Sequence, residues 1–446
     1  MGIFKAYDVR GKYPGEINEE WAFRIGLAFA KFLKGKKVVI GMDARESSTS
    51  IKEAVMGGLC SENKEITDIG LCNTPMLYFA LIKWNLDGGI MISASHNPPE
   101  FNGIKMVKNV DGNLMQIGKS SGMAEIEELA KESEVKEVEV RYKKRSVLEE
   151  YVRYMLDKLE RRVGLKIVVD YGNGVGSIAA KPFFEKTEFE VCHIYDEPKP
   201  RFPHHDPNPH VKENFKDLVK EVKKRSADLG IFFDGDADRG IPVNEKGIEL
   251  RGDILIGILA LDVLEKYPGE KIFYDLRSSK TLAEEIKGAG GEPIEMKVGN
   301  PYYKEKLIKE GGALGGETSG HIMYKEHFCI DDGLYAMIKL INIMTRTGKK
   351  LSELGKPFTK YYKTYEINIR VQDKESRLKD VEEVYRNKGG KIEKIDGVTV
   401  IFPEWWFNLR PSNTQNLLRL NLEAETKELM EEKTKELKEI IGGRVE

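Results

Sequence analysis

The segment Lys36–Arg45, KKVVIGMDAR, decides the fold class of this chain. It has the pattern of a short β-branched strand that ends at an aspartate and continues into a turn and a helix-like stretch. The same pattern recurs in LKIVVDYGNG at 165–174 and in EKIFYDLRSS at 270–279. Alternating strands and helices favour α/β units, and such domains often carry polar site residues at the ends of strands. The three occurrences predict three related α/β domains with mixed sheets.

The sequence around these segments supplies the helices and a domain of another kind. Apolar residues recur at helical spacing in 18–35 and in 145–160, the second of which links the first two domains. Further on, YEINIRV (365–371) and GVTVIF (397–402) alternate like half-buried antiparallel strands, and 425–443 is a charged helix. We therefore expect a smaller C-terminal α+β domain. The predicted domains are 1–142, 143–242, 243–357 and 358–446.

Composition excludes several classes of function. The 446 residues include 71 Lys+Arg and 73 Asp+Glu, for a net charge of −2, so no basic excess points to nucleic acid or to a membrane surface. The longest apolar run, 254–261, is far short of the roughly 20 residues that span a bilayer. The N-terminus lacks the pattern of a signal peptide. The scattered cysteines, without Cys-x-x-Cys spacing, suit reduced thiols. These features predict a soluble cytoplasmic protein.

Ser95 lies in SASHNPP (93–99), directly after the strand-like DGGIMI. The two prolines prevent the strand from continuing, which places Ser95 in a loop at the carboxyl end of a strand. The segment does not match the nucleophile elbow of serine hydrolases, Gly-x-Ser-x-Gly, because Ser93 and Asn97 occupy the glycine positions. A serine that carries a phosphoryl group would need a divalent cation and cationic side chains nearby. An ordinary Ser/His/Asn turn is the remaining alternative.

The acidic run DGDADR (234–239) follows the strand-like ADLGIFF. Alternate spacing can direct Asp234, Asp236 and Asp238 toward one point, and three hard oxygens suit Mg²⁺ or Ca²⁺. An EF-hand loop does not fit, because Arg239 stands where that loop needs glycine and a strand precedes it in place of a helix. A solvated acidic turn is the alternative, although three carboxylates after a buried strand repel each other unless a cation is present.

The segment around Ser95 (93–99, the serine loop) and the acidic run (234–239) would complement each other in charge. A phosphoserine carries nearly −2 and three aspartates add about −3, whereas Mg²⁺ and Arg239 return only about +3. Further cations, such as Lys105 and Arg10, are therefore expected nearby. Arg239 suits a phosphate because its planar guanidinium matches the geometry of phosphate oxygens. This balance of charges is typical of phosphoryl transfer.

Five motifs, in order along nearly the whole chain, resemble those of the α-D-phosphohexomutases, nearest the phosphomannomutase/phosphoglucomutase branch. They match the arginine, phosphoserine, metal, sugar-binding and phosphate-binding loops of that family. The motifs are YDVRG (7–11), SASHNP (93–98) with Lys105, DGDADR (234–239), GETSGH (316–321) and RPSNT (410–414). In addition, FPHHDPNP (202–209) is similar to a segment typical of this branch and not of the phosphoglucosamine mutases.

The resemblance implies a role for each matching residue. It implies that Ser95 is phosphorylated and that its phosphate binds one Mg²⁺ together with Asp234, Asp236 and Asp238. Glu317 and Ser319 would hold sugar hydroxyls, and we assign Arg277 to the substrate as well. The phosphate that is not transferred would be held by Arg410, Ser412, Asn413 and Thr414. The transfer would be surrounded by Arg10, Lys105, Arg239 and His321, with Lys105 or His321 as proton carrier. The four domains would surround a central cleft, the fourth being mobile.

The resemblance also implies a reaction. It predicts an isomerase that interconverts hexose 1-phosphate and hexose 6-phosphate, of mannose, glucose or both, through phospho-Ser95 and a bound 1,6-bisphosphate. A hexose 1,6-bisphosphate would be the activating primer. The alternatives are a phosphoglucosamine mutase, a metal-dependent sugar phosphatase and a non-catalytic sugar-phosphate sensor. Departures at Met42, Asn300 and Thr318 leave the sugar preference open, and the sequence leaves open whether the protein is a monomer or a homo-oligomer.

Overall fold

The computed structural model describes residues 2–161, 163–412 and 416–445, and only the backbone of Val163. The first domain is a mixed sheet with the strand order β1-β5-β4-β2-β3-β7, and β6 pairs with β5. Strands β2, β3, β4 and β7 are parallel, whereas β5 runs antiparallel to β4. Its elements are β1 Val9–Lys12, α1 Glu19–Phe32, β2 Lys37–Met42, α2 Ser48–Cys60, β3 Glu65–Leu71, α3 Thr74–Lys83, β4 Gly88–Ile92, β5 Phe101–Val110, β6 Asn113–Gln116, α4 Met123–Glu132 and β7 Tyr142–Lys144.

The second and third domains repeat a smaller mixed sheet. Each has three parallel strands and one antiparallel strand at an edge, in the orders β11-β10-β8-β9 and β13-β12-β14-β15. The elements of the second are α5 Leu148–Leu156, β8 Val163–Asp170, α6 Ser177–Phe184, β9 Glu188–Ile194, α7 Lys216–Arg225, β10 Leu229–Phe233 and β11 Gly240–Asn244. Those of the third are α8 Gly252–Lys266, β12 Lys271–Asp275, α9 Lys280–Gly288, β13 Glu292–Met296, α10 Asn300–Lys309, β14 Leu314–Gly316, β15 Ile322–Tyr324, α11 Gly333–Thr347 and α12 Leu351–Leu354.

The C-terminal domain is of the other kind, as the alternating segments predict. Its strands, in the order β18-β19-β20-β21-β17-β22 with β16 on β21, pair only in antiparallel fashion in the described residues. The elements are β16 Tyr362–Lys363, β17 Ile367–Arg370, α13 Lys374–Asn387, β18 Lys391–Glu393, β19 Val398–Ile401, β20 Trp405–Pro411, β21 Leu417–Ala424, α14 Lys427–Ile441 and β22 Arg444–Val445. The predicted fold class, three α/β units followed by an α+β unit, is confirmed. The four domain boundaries stay a prediction.

The clusters of buried apolar side chains include one shared by the first three domains and a separate one in the fourth. One continuous buried cluster joins the first three, through side chains such as Tyr78, Tyr151 and Leu255. The C-terminal sheet has a separate cluster that includes Phe407 and Leu420. In the described residues, the first three domains therefore share a core, whereas the sheet of the fourth domain packs around a core of its own. In the part of the chain that the structure describes, no helix has the length and apolarity needed to cross a membrane.

Candidate active site

Ser95 lies in the loop that joins β4 to β5, three residues beyond the end of β4. Its backbone is left-handed, with a φ of 52°, a conformation that is uncommon for a residue with a side chain and is often associated with functional sites. The hydroxyl donates to Asp234 Oδ2 at 3.0 Å and accepts from Arg239 Nη2 at 3.3 Å. The loop thus directs the serine oxygen at the acidic run of the second domain.

The three aspartates follow β10 and lie at the junction of the first and second domains. Asp234, Asp236 and Asp238 are at most 1% exposed, and each offers an oxygen within 4.8 Å of the others. Among the described residues, no donor bonds Asp236 Oδ1 or Asp238 Oδ1, although both atoms are buried. Buried carboxylate oxygens without donors suit a divalent cation, so these residues fit the metal that the motif predicts.

The close contact of the two loops depends on Gly235. A Cβ at this position would lie 2.3 Å from the carbonyl oxygen of Ser95. That distance is far below van der Waals contact, and the neighbouring atom is backbone and cannot move aside. The glycine in the acidic run therefore allows the serine loop to approach the carboxylates.

Lys105 supplies a positive charge to the carboxylates. The pairing of Lys105 with Met91 in the β4–β5 ladder places it beside the strand that leads to Ser95. Its ammonium lies 2.5 Å from Asp236 Oδ2 and 2.6 Å from Asp238 Oδ2. Burial opposes ionisation here, yet Lys105 keeps the pKa of Asp236 below its usual range, whereas burial raises the pKa of Asp234. The lysine is thus the internal counter-ion of the acidic run.

Two further predicted catalytic residues meet at the same point from different domains. Arg239 is 2% exposed and donates to Asp234 Oδ2 from Nε at 2.9 Å and from Nη2 at 2.6 Å. An isolated antiparallel bridge pairs Arg239 with His321 of the third domain. His321 Nδ1 lies 3.1 Å from Asp331 Oδ2 and 3.8 Å from Asp238 Oδ1. The imidazole therefore stands next to the acidic run.

Arg10, on β1, reaches the site through the serine loop. Its guanidinium donates to Asn97 Oδ1 at 2.7 Å and pairs with Asp8 at 2.5 Å. The structure thus places Ser95, Lys105, Arg239 and His321 around the three carboxylates, with Arg10 at the edge of the same group.

The predicted substrate-binding residues of the third domain follow β14 and β12. Glu317 is 3% exposed and accepts from the backbone N–H of Gly299 at 2.7 Å. Its burial raises the pKa of the Glu317 carboxyl group. Ser319 is half-buried in the same loop. Arg277 is buried and pairs with Asp275 at 2.8 Å, and the backbone and hydroxyl of Thr318 donate to the same carboxylate.

The predicted phosphate-binding residues belong to β20 and the segment after it. Arg410 is 5% exposed and donates to Glu366 Oε2 at 2.8 Å. Arg277 of the third domain lies 3.8 Å from the same oxygen, and Arg419 lies 3.3 Å from Glu366 Oε1. Burial of Glu366 opposes ionisation, but Arg410, Arg277 and Arg419 lower its pKa to about 2. Ser412 is buried after β20, whereas Asn413 and Thr414 lie outside the described residues.

Several residues at the site are not identified by sequence reasoning. Thr74 donates to Asp236, Asp331 pairs with His321, and Glu366 joins the arginines. Each is a single polar residue outside the matched motifs. Asp275 is different, because the repeated strand pattern ends at this residue. The recurrence of an aspartate at a strand end was a usable indication that this residue belongs to a site.

Comparison with known protein families gives a match along almost the whole chain. Residues 1–136, 149–247 and 251–361 match the phosphoglucomutase/phosphomannomutase alpha/beta/alpha domains I, II and III. Residues 366–440 match the phosphoglucomutase/phosphomannomutase C-terminal domain. The four matches occur in the order of the four structural domains.

Individual proteins resemble the chain over its full length. A phosphomannomutase of Methanocaldococcus jannaschii is 37% identical over 99% of this chain and 97% of that protein. A phosphomannomutase/phosphoglucomutase of Pseudomonas aeruginosa is 35% identical over 96% of this chain and 93% of that protein. The crystal structure of a phosphoglucomutase/phosphomannomutase family protein of Burkholderia thailandensis superposes with a TM-score of 0.89 at 29% identity, covering 99% and 98% of the two chains.

Proposed function

Since this chain belongs to the phosphoglucomutase/phosphomannomutase family, and is thus a phosphohexomutase of the isomerase class, we propose that it moves a phosphoryl group between O1 and O6 of a hexose by way of Ser95. The observation that carries the proposal is the contact between Ser95 and the acidic run. The Ser95 hydroxyl, Asp234 and Arg239 are in mutual hydrogen-bond contact. A nucleophile beside carboxylates and a guanidinium suits phosphoryl transfer, in which positioning and charge stabilisation do most of the work.

The acidic run is the place for one Mg²⁺. Asp234, Asp236 and Asp238 would hold the ion together with an oxygen of the phosphate on Ser95. When bound, Mg²⁺ would neutralise charge that develops on the transferred group. Arg239 and Lys105 contribute fixed positive charge from the protein itself, since both are buried against the carboxylates.

The proton must leave the attacking sugar hydroxyl and must be returned to the serine oxygen. In the first half-reaction the sugar oxygen forms a bond to phosphorus while the bond from phosphorus to Ser95 Oγ breaks. Lys105 is held between two carboxylates and serves as a counter-charge. His321 is the better candidate for the proton carrier, because Asp331 orients its ring and it adjoins the acidic run.

A bound hexose 1,6-bisphosphate would then reverse its orientation and return its other phosphate to Ser95. Both orientations need the same contacts, which we assign to Glu317 and Ser319 for hydroxyls and to Arg277, Arg410, Ser412, Asn413 and Thr414 for the remaining phosphate. The separate core of the fourth domain supports a motion of that domain toward the cleft. Its closure would keep water from hydrolysing the intermediate.

The substrates that we propose are mannose and glucose phosphates. The names of the relatives in Methanocaldococcus jannaschii and Pseudomonas aeruginosa support this choice, as does the segment 202–209. A coupled assay with mannose 1-phosphate, glucose 1-phosphate and glucosamine 1-phosphate, each with a trace of hexose 1,6-bisphosphate primer, tests it. Glucosamine 1-phosphate as the best substrate by a wide margin would overturn the assignment to this branch.

The Ser95→Ala variant tests the role of the serine. We expect mutase activity to fall by more than about 10³-fold, because the variant cannot carry the phosphoryl group. Ser120→Ala, which changes an exposed serine of the same domain, is the matched control and should retain full activity. Intact-mass measurement should show one phosphoryl group on the wild type after incubation with primer and none on Ser95→Ala. A Ser95→Ala enzyme that still releases phosphate from sugar phosphates would indicate a phosphatase.

A further inference from the structure

Arg45 is a buried arginine that none of the matched motifs includes. It follows β2 in the first of the repeated segments, and its side chain is 0% exposed. The guanidinium donates to backbone carbonyl groups of the serine loop and of Phe101, the first residue of β5. These contacts are Nη2 to Ser95 O at 3.0 Å and Asn97 O at 2.6 Å, and Nη1 to Pro98 O at 2.6 Å and Phe101 O at 2.9 Å.

The donors of Arg45 are fully used. A guanidinium has five N–H groups in a rigid plane, and the fifth, on Nε, donates to Asp43 Oδ2 at 3.1 Å. Asp43 is fixed in turn, since its Oδ1 accepts from the Ser48 hydroxyl at 2.6 Å and from the Arg45 backbone at 3.1 Å. The ring of Phe202, from the second domain, lies 5.1 Å from the Arg45 guanidinium carbon. The Arg45 side chain thus contacts Asp43, the serine loop and the ring of Phe202.

The serine loop needs such a partner for two reasons. A buried carbonyl group such as that of Ser95 is costly without a donor, and residues 93–100 form no helix or strand that would supply one. Ser95 also adopts its left-handed backbone, with a φ of 52°, at the first of these carbonyl groups. A planar fork that bonds four carbonyl groups over a short segment fixes both the path of the loop and the direction of the serine side chain. A lysine offers donors from one point and cannot reproduce the fork.

We propose that Arg45 is a positioning residue, which holds the loop 93–101 so that Ser95 Oγ faces Asp234 and Arg239. It acts through the backbone of the loop and not on the transferred group. The consequence for catalysis rests on the proposed function of Ser95, whereas the consequence for the order of the loop does not. A residue of this kind affects the chemical step more than the affinity for the sugar.

Arg45→Lys and Arg45→Met test the proposal, with Arg24→Met as the matched control. Arg24 is an arginine of the same domain that pairs with Glu20 on the surface of α1. Hydrogen exchange measured by mass spectrometry should show faster exchange in the peptide covering 93–101 of both Arg45 variants, and unchanged exchange there in the control. With glucose 1-phosphate and primer, we expect kcat of Arg45→Met to fall about 100-fold and KM to change less than about threefold, as for a small misplacement of a reacting group.

The outcomes separate the possible failures. If Arg45→Met does not fold, Arg45→Lys keeps the charge and stem and decides the question. Unchanged exchange in 93–101 would overturn the proposal, as would faster exchange spread evenly over the first domain, which would indicate a merely structural role. A rise in KM at constant kcat would also overturn it. If the wild type never carries phosphate on Ser95, the proposed function fails, and the exchange experiment still tests whether Arg45 orders the loop.

Discussion

At the scale of single residues, the site is a balance of buried charges. Asp236 and Asp238 are paired with Lys105, and Asp234 is paired with Arg239, all at most 5% exposed. Pairs of this kind are strongly destabilised when one partner is removed, because the other charge stays buried without compensation. The carboxylates of Asp234, Asp236 and Asp238 are therefore stabilised by Lys105 and Arg239.

We predict that Lys105→Met lowers the free energy of unfolding by about 3–5 kcal/mol in the presence of EDTA, because Asp236 and Asp238 lose their counter-ion. Mg²⁺ should raise the melting temperature of this variant more than that of the wild type, since the ion replaces the missing charge. Differential scanning calorimetry with EDTA and with Mg²⁺ measures both effects.

Lys108→Met is the control for this prediction. Lys108 belongs to the same strand, β5, but lies over the ring of Phe32, away from the carboxylates. The control should respond to Mg²⁺ as the wild type does. Equal stabilisation of the Lys105 and Lys108 variants by Mg²⁺ would mean that the acidic run is not the metal site.

At the scale of secondary-structure elements, strand ends and one helix end converge on the site. Ser95 follows β4, Asp234 follows β10, and Glu317 follows β14. Helix α3 adds its N-terminus, where the Thr74 backbone donates to Asp236 O at 3.0 Å and its hydroxyl donates to the Asp236 carboxylate. The helix dipole favours negative charge at this position. Each of these site loops thus begins at the end of a strand, and the N-terminus of α3 also bonds the acidic run.

We predict that Asn73→Ala weakens both helix α3 and the site. Asn73 is the N-cap of α3 and accepts from the Met76 backbone at 2.8 Å. Loss of the cap should cost about 1 kcal/mol, and the shift of Thr74 should raise the Mg²⁺ concentration required for half-maximal activity. Urea denaturation and a Mg²⁺ titration of activity provide the two measurements.

The matched control is Asn18→Ala, which removes the cap of helix α1 in the same domain. Asn18 accepts from the Trp21 backbone at 3.1 Å, far in sequence from the acidic run. Both variants should lose similar stability, but only Asn73→Ala should change the Mg²⁺ dependence. The same Mg²⁺ dependence in both would show that the N-terminus of α3 does not support the site.

At the scale of the whole molecule, the fourth domain contacts the third through polar groups. The backbone N–H of Lys280 donates to Glu423 at 3.0 Å, and Arg277 approaches Glu366 at 3.8 Å. Between the two domains lies a cavity of about 280 Å³, lined by Glu295 from one side and by Glu393 from the other, among other residues. Polar contacts and a cavity at this junction are compatible with the domain motion that we propose.

The Glu295 carboxyl group should make the stability of this junction depend on pH. Its burial, with Glu393 and Asp275 nearby, raises its pKa from 4.5 to about 7. The folded protein then binds an extra proton, so the group contributes stability below pH 4.5 that is lost as the pH rises through 7. We expect Glu295→Gln to be more stable than the wild type at pH 8 by about 1–2 kcal/mol, allowing for partial exposure, and to differ little at acidic pH.

Urea denaturation at about pH 4 and at pH 8, which lie on either side of the pH range in which the group titrates, checks this expectation. Glu292→Gln, which changes an exposed glutamate at the start of the same strand, is the control and should follow the wild type. A Glu295→Gln variant with the pH dependence of the wild type would show that the carboxyl group ionises as freely in the folded protein as in the unfolded chain.

The sequence by itself determined the local features of this protein. The β-branched runs ending at Asp43, Asp170 and Asp275 form strands β2, β8 and β12, and β4 ends at Ile92, before the prolines at 98 and 99. The alternate spacing of the acidic run does gather its three carboxylates. These features follow from backbone geometry and side-chain periodicity over a few residues, so a single sequence is sufficient to predict them.

Only the tertiary structure decided which distant residues meet. Arg45 bonds a loop some fifty residues further along the chain, Glu366 joins arginines of two domains, and Asp331 orients His321. None of these contacts is fixed by local periodicity. They depend on the register of the sheets and on how the domains pack against one another, and these arrangements are determined by the whole set of long-range contacts, which no short segment of the sequence specifies.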